Sequence, residues 1–131
     1  MAVSKGSAPA PTALIVEDDD ELRLCLTMLL QDEGYATLEA ANLTQARSHL
    51  AATTPSVVVL DLMLNGENGR DLLIELAARA DAPPTVIVSA SRQAAEIAAE
   101  FAVALVQKPF DLDTLAAELC RARSDGRSPK R

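Results

Sequence analysis

The chain has 131 residues, 49% of them apolar, with no Trp, one Tyr and two Phe; that is enough for one domain on an aliphatic core and too little for two. Its net charge of −7 is unevenly spread, because Arg121, Arg123, Arg127, Lys130 and Arg131 face only Asp125 near the end and leave the rest still more acidic. An acidic body argues against a nucleic-acid surface on the folded part, and no apolar run approaches the ~20 residues that span a bilayer.

Residues 1–11, in the Ala/Ser/Pro-rich opening MAVSKGSAPAPT, have no periodicity and are expected to be a disordered lead-in to a domain over 12–123. Lys5 has no apolar block behind it, so the opening does not read as a secretory signal, and a cytoplasmic location is expected. Residues 124–131 are expected to be a basic disordered tail, solvated rather than bound to nucleic acid.

Between these ends two patterns alternate. Ala13–Val16, Val57–Leu60, Val86–Val88 and Val103–Val106 are short β-branched or aliphatic runs without polar alternation, the mark of strands buried on both faces. A weaker run at Ala36–Leu38, after the turn at Gly34, predicts an edge strand. Helical stripes fall at Leu22, Leu26, Leu29 and Leu30; at Leu43, Ala46, Leu50 and Ala51; at Leu72, Leu73 and Leu76; and at Leu112, Leu115, Ala116 and Leu119. Asn42, Asn68 and Asp111 stand where N-caps belong, Gln93–Phe101 predicts a short Ala-rich helix, and Asn65-Gly66 a tight turn. Cys25 and Cys120 are expected to be small buried thiols rather than a disulfide framework, and His49 to be solvated. The order is β-α repeated five times, which predicts a doubly wound, five-stranded parallel sheet in a three-layer α/β/α sandwich. In such sheets the ligand site lies beyond the carboxyl ends of the strands.

At those ends stand Glu17-Asp18-Asp19, Asp61, Ser89 and Lys108. Clustered carboxylates repel one another until a proton or a cation intervenes, and all-oxygen donors suit Mg2+, with Mn2+ as an alternative. A carboxylate can attack phosphorus, a lysine can pair with a phosphoryl oxygen, and a serine hydroxyl can donate to another. No GxxxxGK[ST] is present, so the phosphoryl group is expected from a protein or small donor. Asp19, Asp20 and Glu21 are explained by a solvated first helical turn.

Four segments, ALIVEDD (13–19), VVVLDLMLNGENG (57–69), VIVSAS (86–91) and VQKPF (106–110), together resemble the response-regulator receiver domain of two-component systems from Thr12 to about Arg123. The resemblance implies the flavodoxin-like receiver fold. It implies Asp61 as phosphoacceptor (4-aspartylphosphate), Ser89 as switch hydroxyl and Lys108 as phosphate-pairing lysine. It also implies a Mg2+ site of Glu17, Asp18, Asp61 and the Met63 backbone carbonyl, Asp18 binding directly and Glu17 partly through water. The Lys108-Pro109 bond matches one that is cis in the family. The implied partners are a histidine kinase or histidine phosphotransfer protein and an unidentified downstream protein, with no membrane partner and a monomer or weak dimer as the expected state. The chain is expected to be a single-domain regulator that catalyses only its own phosphorylation and dephosphorylation, since no output region follows Arg123.

Rival readings are weaker. A dehalogenase-type phosphatase would need a second Asp in DxDxT, where Asp61-Leu62-Met63 has none. A degenerate receiver would lack part of the acidic, hydroxyl and lysine set, and a phosphotransfer bundle carrying His49 would lack the strands. One departure stands out. Receivers often carry Tyr or Phe three residues before the lysine, where this chain has Leu105, and the stretch from Ser89 to Lys108 is short for the family. A smaller conformational change on activation is therefore expected, centred on Ser89 and Gln93–Phe101.

Overall fold

A computed structural model describes residues 10–130. Its main sheet has five parallel strands in the order β2 (Ala36–Ala40), β1 (Thr12–Val16), β3 (Val57–Leu60), β6 (Thr85–Ser89) and β7 (Ala104–Gln107). The expected edge strand is at the edge. A separate antiparallel hairpin of β4 (Met63–Leu64) and β5 (Glu67–Asn68) follows β3 and was not foreseen as strands; its Gly66, at φ 76°, makes the Asn65-Gly66 turn.

Alternation along the strands divides the core in two. Leu14, Val16, Val58, Leu60 and Ile87 point to a layer with α2 (Leu43–Ala52), α3 (Arg70–Ala77) and α4 (Ala94–Phe101). Ala13, Ile15, Val57, Val59, Val86 and Val88 point the other way, to α1 (Asp20–Asp32) and α5 (Leu112–Asp125). A side-chain period of two on central strands that carry apolar residues on both faces requires this sandwich. The sheet order reverses between β1 and β3, so the loops after those strands open a crevice at their carboxyl ends.

Asn42 and Asp111 cap α2 and α5, their side chains accepting from the Gln45 and Thr114 amides. Asn68 does not cap α3. It accepts from the Arg70 amide, but the N-cap is Gly69, because that glycine turns into helical dihedrals (φ −60°, ψ −20°) with its N–H on the Leu62 carbonyl at 2.7 Å.

Three further expectations are corrected. Cys25 and Cys120 are free and exposed, since the buried arcs of their helices run through Leu26, Thr27 and Leu30 and through Leu115, Leu119 and Ala122. His49 is half-buried, its Nε2 hydrogen-bonded to the Glu39 carbonyl at 2.9 Å. The chain after Ser124 is not a solvated tail over its described part. Helix α5 runs to Asp125, the Arg127 carbonyl accepts from the Thr85 amide at 3.0 Å, the Lys130 amide donates to the Phe101 carbonyl at 2.9 Å, and Pro129 is buried. The lead-in lies outside the described residues except for Ala10 and Pro11, whose carbonyl accepts from Ala36 N–H.

Candidate phosphoacceptor site

The loops after β1 and β3 are laced together by backbone. Asp61 N–H donates to the Val16 carbonyl and Glu17 N–H to the Ala40 carbonyl, each at 3.0 Å, so the carboxylates of Glu17 and Asp61 are delivered side by side. Both are buried, at 1% and 4% exposure, while Asp18 is half-buried. Oxygens of Glu17, Asp18 and Asp61 lie within 4.8 Å of one another.

Lys108, from the end of β7, bridges two of them: Nζ stands 2.9 Å from Asp61 Oδ2 and 3.1 Å from Glu17 Oε1. Backbone donors occupy other oxygens. Met63 N–H donates to Asp61 Oδ1 at 3.0 Å, Asp19 N–H to Glu17 Oε2 at 3.1 Å, and Asn65 N–H to Asp18 Oδ2 at 2.8 Å. Ser89 is fully buried at the end of β6. It joins the others through backbone, its carbonyl accepting from Lys108 N–H at 3.0 Å, while its Oγ accepts from Ser91 N–H at 3.1 Å. The Lys108-Pro109 bond is cis. Met63 meets the site through its N–H, and its side chain is exposed. Leu105 is half-buried against the layer beneath α4.

One ammonium does not balance three carboxylates. Burial, aided by the Asp61 charge, pushes the Glu17 carboxyl up to about 7 despite the Asp19 N–H and the Lys108 ammonium, which pull it down. Burial also works against the charged Lys108, but its hydrogen bonds to Asp61 and Glu17 outweigh that and hold the ammonium more firmly protonated than usual. The pocket is thus short of positive charge. Its donors are hard oxygens, and their 4.8 Å envelope is close to the span across one Mg2+, roughly 4.2 Å between opposite ligands. The residues fit a divalent cation of that kind.

Three contributors were not read from the sequence. Arg23 donates to the Glu17 carbonyl at 2.9 Å while pairing with Asp20 and Glu39, which fixes the strand-to-helix turn; nothing in the sequence aims that side chain. Glu67, whose Oε1 accepts from Leu43 N–H at 3.0 Å, is the second, and no local pattern announces that contact. Gly69 is the third, and here a Gly just before a helical stripe was a usable signal. A Cβ on Gly69 would stand 2.5 Å from the Asp61 carbonyl oxygen and 2.8 Å from Leu62 Cα, both backbone atoms that cannot swing aside. Gly69→Ala is therefore expected to destabilise the fold by about 1–3 kcal/mol through overpacking. A urea titration checks this, and an unchanged midpoint contradicts it.

The family model for the response regulator receiver domain matches residues 13–120. An NtrX-like response regulator of Rickettsia bellii is 34% identical over 83% of this chain and 24% of its own length. The DNA-binding response regulator MtrA of Mycolicibacterium paratuberculosis is 36% identical over 84% of this chain and 49% of its own. The chain thus spans between a quarter and a half of these curated relatives. Among solved structures, a sensor protein from Polaromonas sp. JS666 superposes with a TM-score of 0.77 at 29% identity, over 89% of this chain and 98% of that one. NtrX from Brucella abortus gives 0.81 at 28% identity, over 89% and 28%. With strand order, acidic crevice and lysine in place, and a family model covering nearly all of the sheet and helices, the chain belongs to the response regulator receiver domain family.

Proposed function

We propose that this receiver domain accepts a phosphoryl group on Asp61 from a histidine kinase or a histidine phosphotransfer protein. The observation that carries the reading is the Asp61 carboxylate itself, 4% exposed, held at the switch point between the Lys108 ammonium and the Met63 N–H inside an acidic cluster. A carboxylate oxygen attacks phosphorus of the phosphoimidazole. The P–O bond forms as the P–N bond breaks, and the electron pair returns to the imidazole nitrogen, which takes up a proton. Lys108 stands where it can turn from the carboxylate to a phosphoryl oxygen, and the Ser89 hydroxyl at the next strand end can donate to another.

Glu17, Asp18, Asp61 and the Met63 carbonyl are the proposed holders of Mg2+ or Mn2+, which when bound neutralises charge on the phosphoryl oxygens and on the carboxylates. The chain turns over no external substrate in this reading, catalysing only its own phosphorylation and dephosphorylation. Its output is phosphorylation-dependent partner binding or onward relay. A cytoplasmic setting is part of the proposal; among the described residues no helix is long and apolar enough to cross a membrane.

Incubation with acetyl phosphate and Mg2+ tests this by intact-mass spectrometry. The expected product carries one added phosphoryl group, and a chelator in excess of the metal abolishes it. Equal labelling with and without the chelator contradicts the metal-dependent reading.

A further inference from the structure

We propose that Glu67 is a positioning residue for the acidic cluster: it fastens the Met63–Asn68 hairpin to α2, and the hairpin in turn holds Asp18 and Asp61. The proposal rests on the phosphoacceptor reading and extends it to a side chain outside the pocket.

The hairpin has two residues on each side and does not pair with the main sheet, so its own ladder cannot keep it in place. Its ladder is extended only by Gly69 N–H, which donates to the Leu62 carbonyl at 2.7 Å, and two contacts anchor it to the rest of the molecule: Leu64 is buried, and Glu67 Oε1 accepts from Leu43 N–H at 3.0 Å, 24 residues away in the chain. The Leu43 amide belongs to the first turn of α2, whose N–H groups have no partner within the helix. A carboxylate there gains from both the charge-assisted bond and the helix dipole. Arg47, one turn along α2, adds a longer-range attraction to Glu67.

The hairpin reaches the cluster twice. Met63 N–H donates to Asp61 Oδ1, and Asn65 N–H donates to Asp18 Oδ2 at 2.8 Å. Asp18 is the more exposed of the three acids, so its orientation depends most on such a partner. Loss of the Glu67 anchor therefore loosens Asn65 and with it the carboxylate offered to a cation. Asn65 can be probed separately. It stands second in the turn Leu64–Glu67, whose third residue is Gly66 at φ 76° as in a type II turn, and proline suits the second place while deleting the N–H.

The test combines amide exchange in the metal-free protein with calorimetric titration of Mg2+ alone. Glu67→Ala is expected to speed exchange at Leu43, Met63 and Asn65 and to weaken Mg2+ binding roughly ten-fold, the low end for outer partners of a metal site. Glu67→Gln keeps an acceptor oxygen and should restore most of both. Asn65→Pro should weaken Mg2+ binding and leave exchange at Leu43 unchanged. If Glu67→Ala speeds exchange at Leu43 alone, with Asn65 and Mg2+ affinity as in the wild type, the proposal is overturned. A wild-type protein that binds no Mg2+ removes the metal reading instead, and the metal-free exchange at Asn65 still decides whether Glu67 holds the hairpin.

Discussion

Replacing Asp18 with alanine is expected to lower Mg2+ affinity by at least about 100-fold, since even outer partners of a metal site typically contribute 10–100-fold and Asp18 is read as a direct ligand. The control is two residues away. Asp20 is 86% exposed and spends its carboxylate on Arg23 at 2.6 Å, so Asp20→Ala removes a helix-start charge and costs only about 0.3–1 kcal/mol of local stability. Geometry separates them: Asp18 shares the 4.8 Å cluster with Glu17 and Asp61, and Asp20 does not. Calorimetric titration of the two variants should give a large loss for the first and affinity near wild type for the second. Equal losses would place the metal elsewhere.

Phe101→Ala is expected to cost about 3–5 kcal/mol, the usual range for emptying a buried aromatic site. Phe101 is fully buried at the end of α4, in a core that is otherwise aliphatic. The Arg70 guanidinium lies 5.5 Å from its ring centre, and its carbonyl receives the Lys130 amide. The ring packs in the layer that the sheet forms with α2, α3 and α4. Against a typical total of ~5–15 kcal/mol the loss is large. A urea titration should show the midpoint falling with its slope unchanged. A loss below about 1 kcal/mol would mean that the core around Phe101 closes over the gap.

The sheet was legible because its strands are apolar on both faces, a pattern few other structures produce. Val57–Leu60 is buried throughout as expected, and of the residues at the four strand ends Glu17, Asp18, Asp61 and Lys108 lie together, with Ser89 joined through backbone. What escaped depends on side-chain aim and on docked backbone. Cys25 follows the residue type of a buried position, but each residue turns a helix by about 100°, and the arc that packs runs through Leu26, Thr27 and Leu30. The segment after Ser124 is polar and Pro-containing, so composition pointed to disorder; the Arg127 and Lys130 backbone bonds and Pro129 dock it without any hydrophobic stripe. The Glu67–Leu43 bond joins residues far apart in sequence, and no local pattern announces it.

Borohydride trapping locates the acceptor residue itself. An aspartyl phosphate is an acyl phosphate, which borohydride reduces to an alcohol, so the labelled residue becomes homoserine and can be located by peptide sequencing in a mass spectrometer. After acetyl phosphate and Mg2+, the reduced residue should be found at position 61 in the wild type and nowhere in Asp61→Asn. Homoserine at Asp18, an added phosphoryl group on His49, or labelling of Asp61→Asn at the wild-type level would rule out Asp61 as the acceptor.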